Sequence, residues 1–206
     1  MIRVLVADDH MVVRTGLAAV IGHETDMTLV AEAASGPEVL SLARLHRPDV
    51  VVMDLRMPGP PGEEVIAALV AENKAARVIV VTIHKGDEAA YRALRAGARG
   101  YLLKDVPTED IVAAIRTVHA GGTCIPFAVA NTLAQRLGRA ELSPRETQVL
   151  KLIAVGYSNR EVAAELGVAE ATAEKHMTSV LQKLGAKDRT HAVRLALERG
   201  IVDLET

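Results

Sequence analysis

The sequence predicts an α/β domain built on a parallel sheet, followed by a small all-α domain. Three observations carry this. Over the first 120 residues, short Val/Ile-rich runs alternate with stretches of helical spacing, which is the signature of repeated strand–helix units. The strand signal ends at Gly121-Gly122. From Leu142 onward the chain reads only as short helices.

The elements follow in order. Ile2–Ala7 is an apolar run that stops at Asp8-Asp9, and Val12, Leu17, Val20 and Ile21 then take a helical spacing. Thr28–Ala33 reads as a strand and Pro37–Leu45 as a helix. Asp49–Met53 is a β-branched strand ending at Asp54, and Gly62–Glu72 is a helix. Arg77–Thr82 is the most apolar strand, Glu88–Ala96 a helix, Gly100–Leu103 a short strand and Thr108–Ala120 a helix. Near-continuous Val/Ile strands fit a sheet covered on both faces. Residues 126–137 could form one further helix, stopped by Gly138. Ser143-Pro144-Arg145-Glu146 and Ser158-Asn159-Arg160-Glu161 are capping boxes, in which Ser and Glu satisfy each other's backbone amides. Gly156, Gly167 and Gly185 are spaced as helix terminators. The expected boundaries are 1–121 for the first domain, 122–140 for a partly helical linker and 141–206 for a four-helix domain.

Composition bounds the function. Half of the 206 residues are apolar and 24% are charged, as in ordinary globular chains and not in disordered ones. Tyr91, Tyr101, Tyr157 and Phe127 are the only aromatics, which disfavours binding by rows of stacked bases. No apolar run approaches the ~18 residues of a membrane span, and Met1 to Asp9 turns acidic too soon for a signal peptide. A cytoplasmic location without membrane partners is expected. The single cysteine, Cys124, excludes an internal disulfide and reads as a packing residue. Residues 1–122 carry 13 basic and 16 acidic side chains, and residues 141–206 carry 9 and 10. Neither part announces nucleic acid by charge alone.

Chemistry enters at the strand ends, where open parallel sheets bind ligands. Asp8 and Asp9 follow the first strand, Asp54 the third, Thr82 ends the fourth and Lys104 follows the fifth. Carboxylates crowded on one edge resist joint ionisation unless a cation lies among them. A hard divalent ion such as Mg²⁺ meets that need. One strand-end acid alone would read as a solvated or capping group. A Gly-rich phosphate loop after the first strand is missing, which opposes a dinucleotide enzyme.

The runs Val6-Ala7-Asp8-Asp9-His10, Val51 to Pro58 with Gly62, Val80-Val81-Thr82 and Gly100 to Asp105 resemble the receiver domain of two-component response regulators. The resemblance covers about residues 1–120 and implies a flavodoxin-like (βα)5 fold with a doubly wound parallel sheet. It implies Asp54 as acceptor of a phosphoryl group from a sensor histidine kinase. It places Mg²⁺ on Asp9 directly, on Asp8 through water, on Asp54 and on the backbone carbonyl of Arg56. Lys104 and Thr82 would contact the phosphoryl oxygens, and Tyr101 would then turn inward. Arg56 and His84 occupy positions that influence phosphoryl lifetime. Glu63 and the corner Gly59-Pro60-Pro61-Gly62 depart from the family's usual residues. Such a protein is not an enzyme beyond slow self-phosphorylation and self-dephosphorylation.

In the second domain, Ala169–Leu184 reads as a helix with Ala173, Met177, Val180 and Leu184 on one apolar stripe. Glu174, Lys175, Thr178 and Gln182 form the opposite face, flanked by Thr172, His176 and Lys183. The helix Asn159–Leu166 precedes it across Gly167-Val168. That is the layout of a helix-turn-helix, whose second helix enters the major groove. The wording Leu142 to Glu146, Gly156 to Glu161, Ala169 to Thr172, His176 and Lys183 to Arg189 resembles the LuxR/FixJ class of DNA-binding domains.

The combination resembles NarL/FixJ-type response regulators. It implies a transcription regulator that dimerises on phosphorylation, binds double-stranded promoter DNA and has RNA polymerase as a further partner. Helices 11–21 and 108–120 are the favoured dimer face. The expected DNA contacts are base readout by Glu174, Lys175 and Thr178, and phosphate contacts by Thr172, His176, Lys183 and the backbone near Ser158 and Asn159. Glu174 stands where the family commonly has Lys. It either points away from DNA or accepts from a cytosine amino group. Three alternatives are an output through protein contacts, a phosphatase on the same fold and a small-ligand sensor.

Overall fold

In the computed structural model, residues 1–83, 87–136 and 140–202 are described. They form two compact units: one comprises mainly residues 1–84 and 90–130, and the other continues from Asn131.

In the first unit, β1 (Ile2–Ala7), β2 (Met27–Ala33), β3 (Val50–Met53), β4 (Val78–Thr82) and β5 (Gly100–Leu103) make one sheet in the order β2-β1-β3-β4-β5. Every pairing is parallel. This order reverses direction between β1 and β3, the switch point at which the chain leaves a crevice open above the strand ends. The helices are α1 (Met11–His23), α2 (Gly36–His46), α3 (Gly62–Glu72), α4 (Asp87–Ala96) and α5 (Thr108–His119). Val4, Val6, Val52, Ile79 and Val81 point to one face, where Leu17 and Ile21 of α1 and Ile111, Ile115 and Val118 of α5 close the core. The alternate residues Leu5, Val51, Met53 and Val80 are equally buried and leave the opposite face to α2, α3 and α4. That two-sided cover is why these strands lack alternation.

The predicted element types hold, with bounds shifted by a residue or two. The structure adds a feature that periodicity does not reveal. After α5, Cys124 forms a parallel bridge to Gly100. Its amide donates to the Arg99 carbonyl at 2.9 Å and its carbonyl accepts from Tyr101 at 2.9 Å. Burial, then the nearby charge of Asp110, pushes its thiol up, in keeping with a packing residue. Next, α6 (Phe127–Arg136) crosses the division between the units.

The second unit holds α7 (Pro144–Ala154), α8 (Asn159–Leu166), α9 (Glu170–Leu184) and α10 (Arg189–Glu198). Both capping boxes form as read, at Ser143 and Ser158. Gly167 and Gly185 end α8 and α9 in the left-handed conformation. Val149, Leu150, Ile153, Val162, Ala173, Met177, Val180, Leu184 and Ala192 share one core.

Gly62, the first residue of α3, is fixed by close approach. A Cβ there would lie 2.7 Å from both the Cα and the carbonyl oxygen of Leu55. Leu55 follows Asp54, so the approach seats α3 against the loop that carries the acid. Gly62→Ala is expected to destabilise the first unit by roughly 1–3 kcal/mol, the usual range for overpacking. A thermal melt of the full chain checks it, with a lower midpoint expected.

Candidate functional site

The sheet order brings four strand ends together. Asp8 follows β1, Asp54 follows β3, Thr82 closes β4 and Lys104 follows β5. The backbone locks the frame: Asp54 N–H donates to the Ala7 carbonyl at 2.9 Å, Asp8 N–H to Ala33 at 3.1 Å and Lys104 N–H to Thr82 at 2.8 Å.

Asp8 and Asp54 are buried. The Lys104 ammonium lies 2.6 Å from Asp8 Oδ2 and 2.6 Å from Asp54 Oδ2. Burial pulls the Lys104 pKa down, but the hydrogen bonds to Asp54 and Asp8 outweigh it, and the net shift is upward. The other Asp54 oxygen, Oδ1, accepts from the backbone amides of Leu55 at 2.6 Å and Arg56 at 3.4 Å. Asp8 Oδ1 accepts from the His10 amide at 2.9 Å. Every oxygen of the two buried carboxylates thus faces a donor, as the burial of polar atoms requires.

Asp9 is more exposed, and His10 Nδ1 lies 2.7 Å from its Oδ1. Among the described residues, Asp8, Asp9 and His10 offer ligand atoms within 4.8 Å of one another. The two carboxylates supply the hard oxygen donors that suit Mg²⁺, so the acidic pocket fits the ion. Asp54 stands outside that group while its Oδ2 faces Lys104. His10 closes the motif that begins at Val6.

Thr82 is fully buried at the end of β4. The Tyr101 ring is fully buried in β5. Burial, and secondarily Asp54's charge, pushes its phenol up. Arg56 is half-buried two residues beyond Asp54. His84 lies outside the described residues. Glu63 finds a partner, its Oε1 lying 3.3 Å from Arg92 Nη1 of α4. Arg14 of α1, which the motifs do not flag, places Nη1 2.6 Å from the Asp8 carbonyl and 3.3 Å from that of Asp9.

In the second unit, α9 buries Ala173, Met177, Val180 and Leu184 and exposes Glu174, Lys175, Thr178 and Gln182. A shallow hollow on this face is lined by Ala171, Glu174, Lys175, Thr178, Ser179 and Gln182. Thr172 and His176 sit half-buried at the flanks. The Thr178 hydroxyl donates to the Glu174 carbonyl one turn back, at 3.0 Å. Two of the expected phosphate contacts have partners within the unit. Lys183 donates to Glu146 Oε2 at 2.7 Å, because the buried Glu146 carboxylate needs a countercharge. The Ser158 amide donates to Glu161 at 2.7 Å. The Glu161 amide donates in return to Ser158 Oγ at 3.3 Å.

Residues 4–116 match the family model described as the response regulator receiver domain, and residues 140–196 match that of bacterial regulatory proteins of the luxR family. An acid-pocketed receiver followed by a helix-turn-helix defines the class, and the chain belongs to the response regulators with a LuxR-type output domain. It is 36% identical to the oxygen regulatory protein NreC of Staphylococcus carnosus, over 98% of this chain and 99% of that one. The crystal structure of the response regulator ChrA, from a heme-sensing two-component system, is 37% identical with a TM-score of 0.57, covering 97% of this chain and 98% of that one. RcsB of Salmonella enterica serovar Typhimurium, solved bound to a promoter in the presence of a phosphomimetic, shares the fold at 24% identity and a TM-score of 0.71, covering 97% and 98% of the two chains.

Glu146 contributes to the pH dependence of the second unit. Burial raises its pKa, but Lys183, the Ser179 hydroxyl and the Ser143 amide and hydroxyl lower it further, to about 2. A folded pKa below the unfolded value means stability that is complete above the ordinary value of 4.5. It is lost as pH falls from there towards about 2. Amide protection factors in α7 and α9 of the full chain, referred to the intrinsic rate at each pH, are expected to fall across this window. Glu146→Gln is expected to be less protected at neutral pH and to lack most of that acid dependence.

Proposed function

We propose that this response regulator accepts a phosphoryl group on Asp54 from the phosphohistidine of a sensor histidine kinase, and thereby controls its binding to promoter DNA. The observation that carries the reading is the buried Asp54 carboxylate, paired with Lys104 at 2.6 Å at the open end of the sheet. An Asp54 oxygen attacks phosphorus, the P–N bond to the imidazole breaks, and an acyl phosphate forms. Asp9 and Asp8 would hold Mg²⁺ together with Asp54 and the Arg56 carbonyl. When bound, the ion neutralises charge on the transferring group. Lys104 then leaves Asp8 and Asp54 for a phosphoryl oxygen, and the Thr82 hydroxyl donates to another. Arg56 and His84 act on the lifetime of the acyl phosphate. The chain catalyses nothing beyond its own slow phosphorylation and dephosphorylation.

Phosphorylation adds charge and acceptor oxygens at the sheet edge and favours a homodimer, with α1 and α5 as the shared face. Two copies then read half-sites about one helical turn, ~10 base pairs, apart. Glu174, Lys175 and Thr178 face the bases. Thr172, His176 and the amides at the start of α8 face phosphates. RNA polymerase is the downstream partner, and the cytoplasm is where the protein works. No described helix is long and apolar enough to cross a membrane.

Two outcomes test this reading. Incubation with acetyl phosphate and Mg²⁺ should add one phosphoryl group by mass spectrometry. Asp54→Ala or chelation should abolish it, and labelling that persists elsewhere overturns the assignment. On DNA, Lys175→Ala should relax preference at one or two base positions by ~1–3 kcal/mol, read by competition between operator variants. An unchanged affinity and preference would remove α9's exposed face from the readout.

A further inference from the structure

Arg14 stands on the second turn of α1, with its side chain only 18% exposed. A single guanidinium nitrogen, Nη1, reaches the backbone carbonyls of two successive residues, Asp8 at 2.6 Å and Asp9 at 3.3 Å. The far edge of the group, Nε, lies 3.8 Å from Glu32 Oε2 on β2. The arginine therefore joins α1, β2 and the loop after β1.

We propose that Arg14 is a positioning residue for the cation pocket. It clamps the Asp8–Asp9 backbone so that both carboxylates are presented to one ion. This rests on the reading that Asp8 and Asp9 hold a divalent cation. Two neighbouring carboxylates repel each other, and rotation of the intervening peptide is the easiest way for them to separate. Fixing both carbonyls blocks that rotation. The geometry also explains the residue type. The planar guanidinium holds the two carbonyls through Nη1 while its Nε faces Glu32, a fixed span that the flexible point charge of Lys does not reproduce. Outer partners of this kind typically contribute 10–100-fold to metal affinity.

The positive charge of Arg14 works against a bound cation, so the two effects of its removal have opposite signs. Glu32 Oε2, 3.8 Å from Nε, offsets part of that charge, and loss of the clamp dominates.

Calorimetric titration of the full-length protein with Mg²⁺ tests the proposal. Arg14→Ala is expected to raise the Mg²⁺ Kd about tenfold or more, and Arg14→Lys to fall between it and the unsubstituted chain. A metal-free readout accompanies this. The His10 amide, held by Asp8 Oδ1 at 2.9 Å, should exchange faster in Arg14→Ala in chelator, while β3 and β4 amides keep their protection. A uniform rise in exchange across the sheet would mean a general structural role and overturn the clamp. An unchanged or tighter Mg²⁺ Kd in Arg14→Ala also overturns it, and leaves the pocket itself intact. Failure of the unsubstituted chain to bind Mg²⁺ overturns the cation reading and the clamp together.

Discussion

The ammonium of Lys104 sits between two buried carboxylates, and the receiver's architecture turns on that contact. A parallel sheet covered on both faces leaves its strand ends as the only place where polar chemistry can enter. Asp8 and Asp54 occupy those ends in adjacent strands, where like charges would destabilise the crevice without a cation between them. Lys104 comes from β5, two strands from β3, so it reports the whole width of the switch region to one point. Redirecting that ammonium to a new anion releases Asp8 and alters the tie between β5 and the centre of the sheet.

The second unit repeats the principle on a smaller scale. Glu146 begins as half of a capping box on α7 and ends as the acceptor for Ser179 and Lys183 of α9. One carboxylate thus closes a helix start and fixes the angle of the helix that bears the exposed polar face. Its low pKa follows from serving both purposes while buried. An engagement of Lys183 with Glu146 also leaves the cationic character of the recognition face resting largely on Lys175.

The sheet is legible in the sequence because buried parallel strands read as Val/Ile runs. The helical unit is legible because caps and left-handed glycines are local signals. The strand-end residues could be read as a group, since topology rules say which ends meet. The rest depends on contacts that local spacing does not carry. Lys183 looks like a flanking cation until Glu146, 37 residues earlier, is seen against it. Arg14 acts on backbone carbonyls, which have no letter of their own. Tyr101 alternates like any strand residue, and nothing in its neighbours tells which way its ring already points. Cys124 pairs for a single residue, too short for any period.

That Cys124 pairing bears on how the sheet ends. β5 is an outer strand, and outer strands offer unpaired amides and carbonyls as templates for another chain. The chain turns back after α5 and lays Cys124 along Gly100, occupying the Tyr101 amide and the Arg99 carbonyl. The start of β5, at the other end of the strand from Lys104, is thereby capped by the receiver's own exit segment. A receiver cut at the double glycine would lose its seal and expose a sticky border at the start of its outer strand, so the natural end of this unit lies beyond the last helix of the sheet.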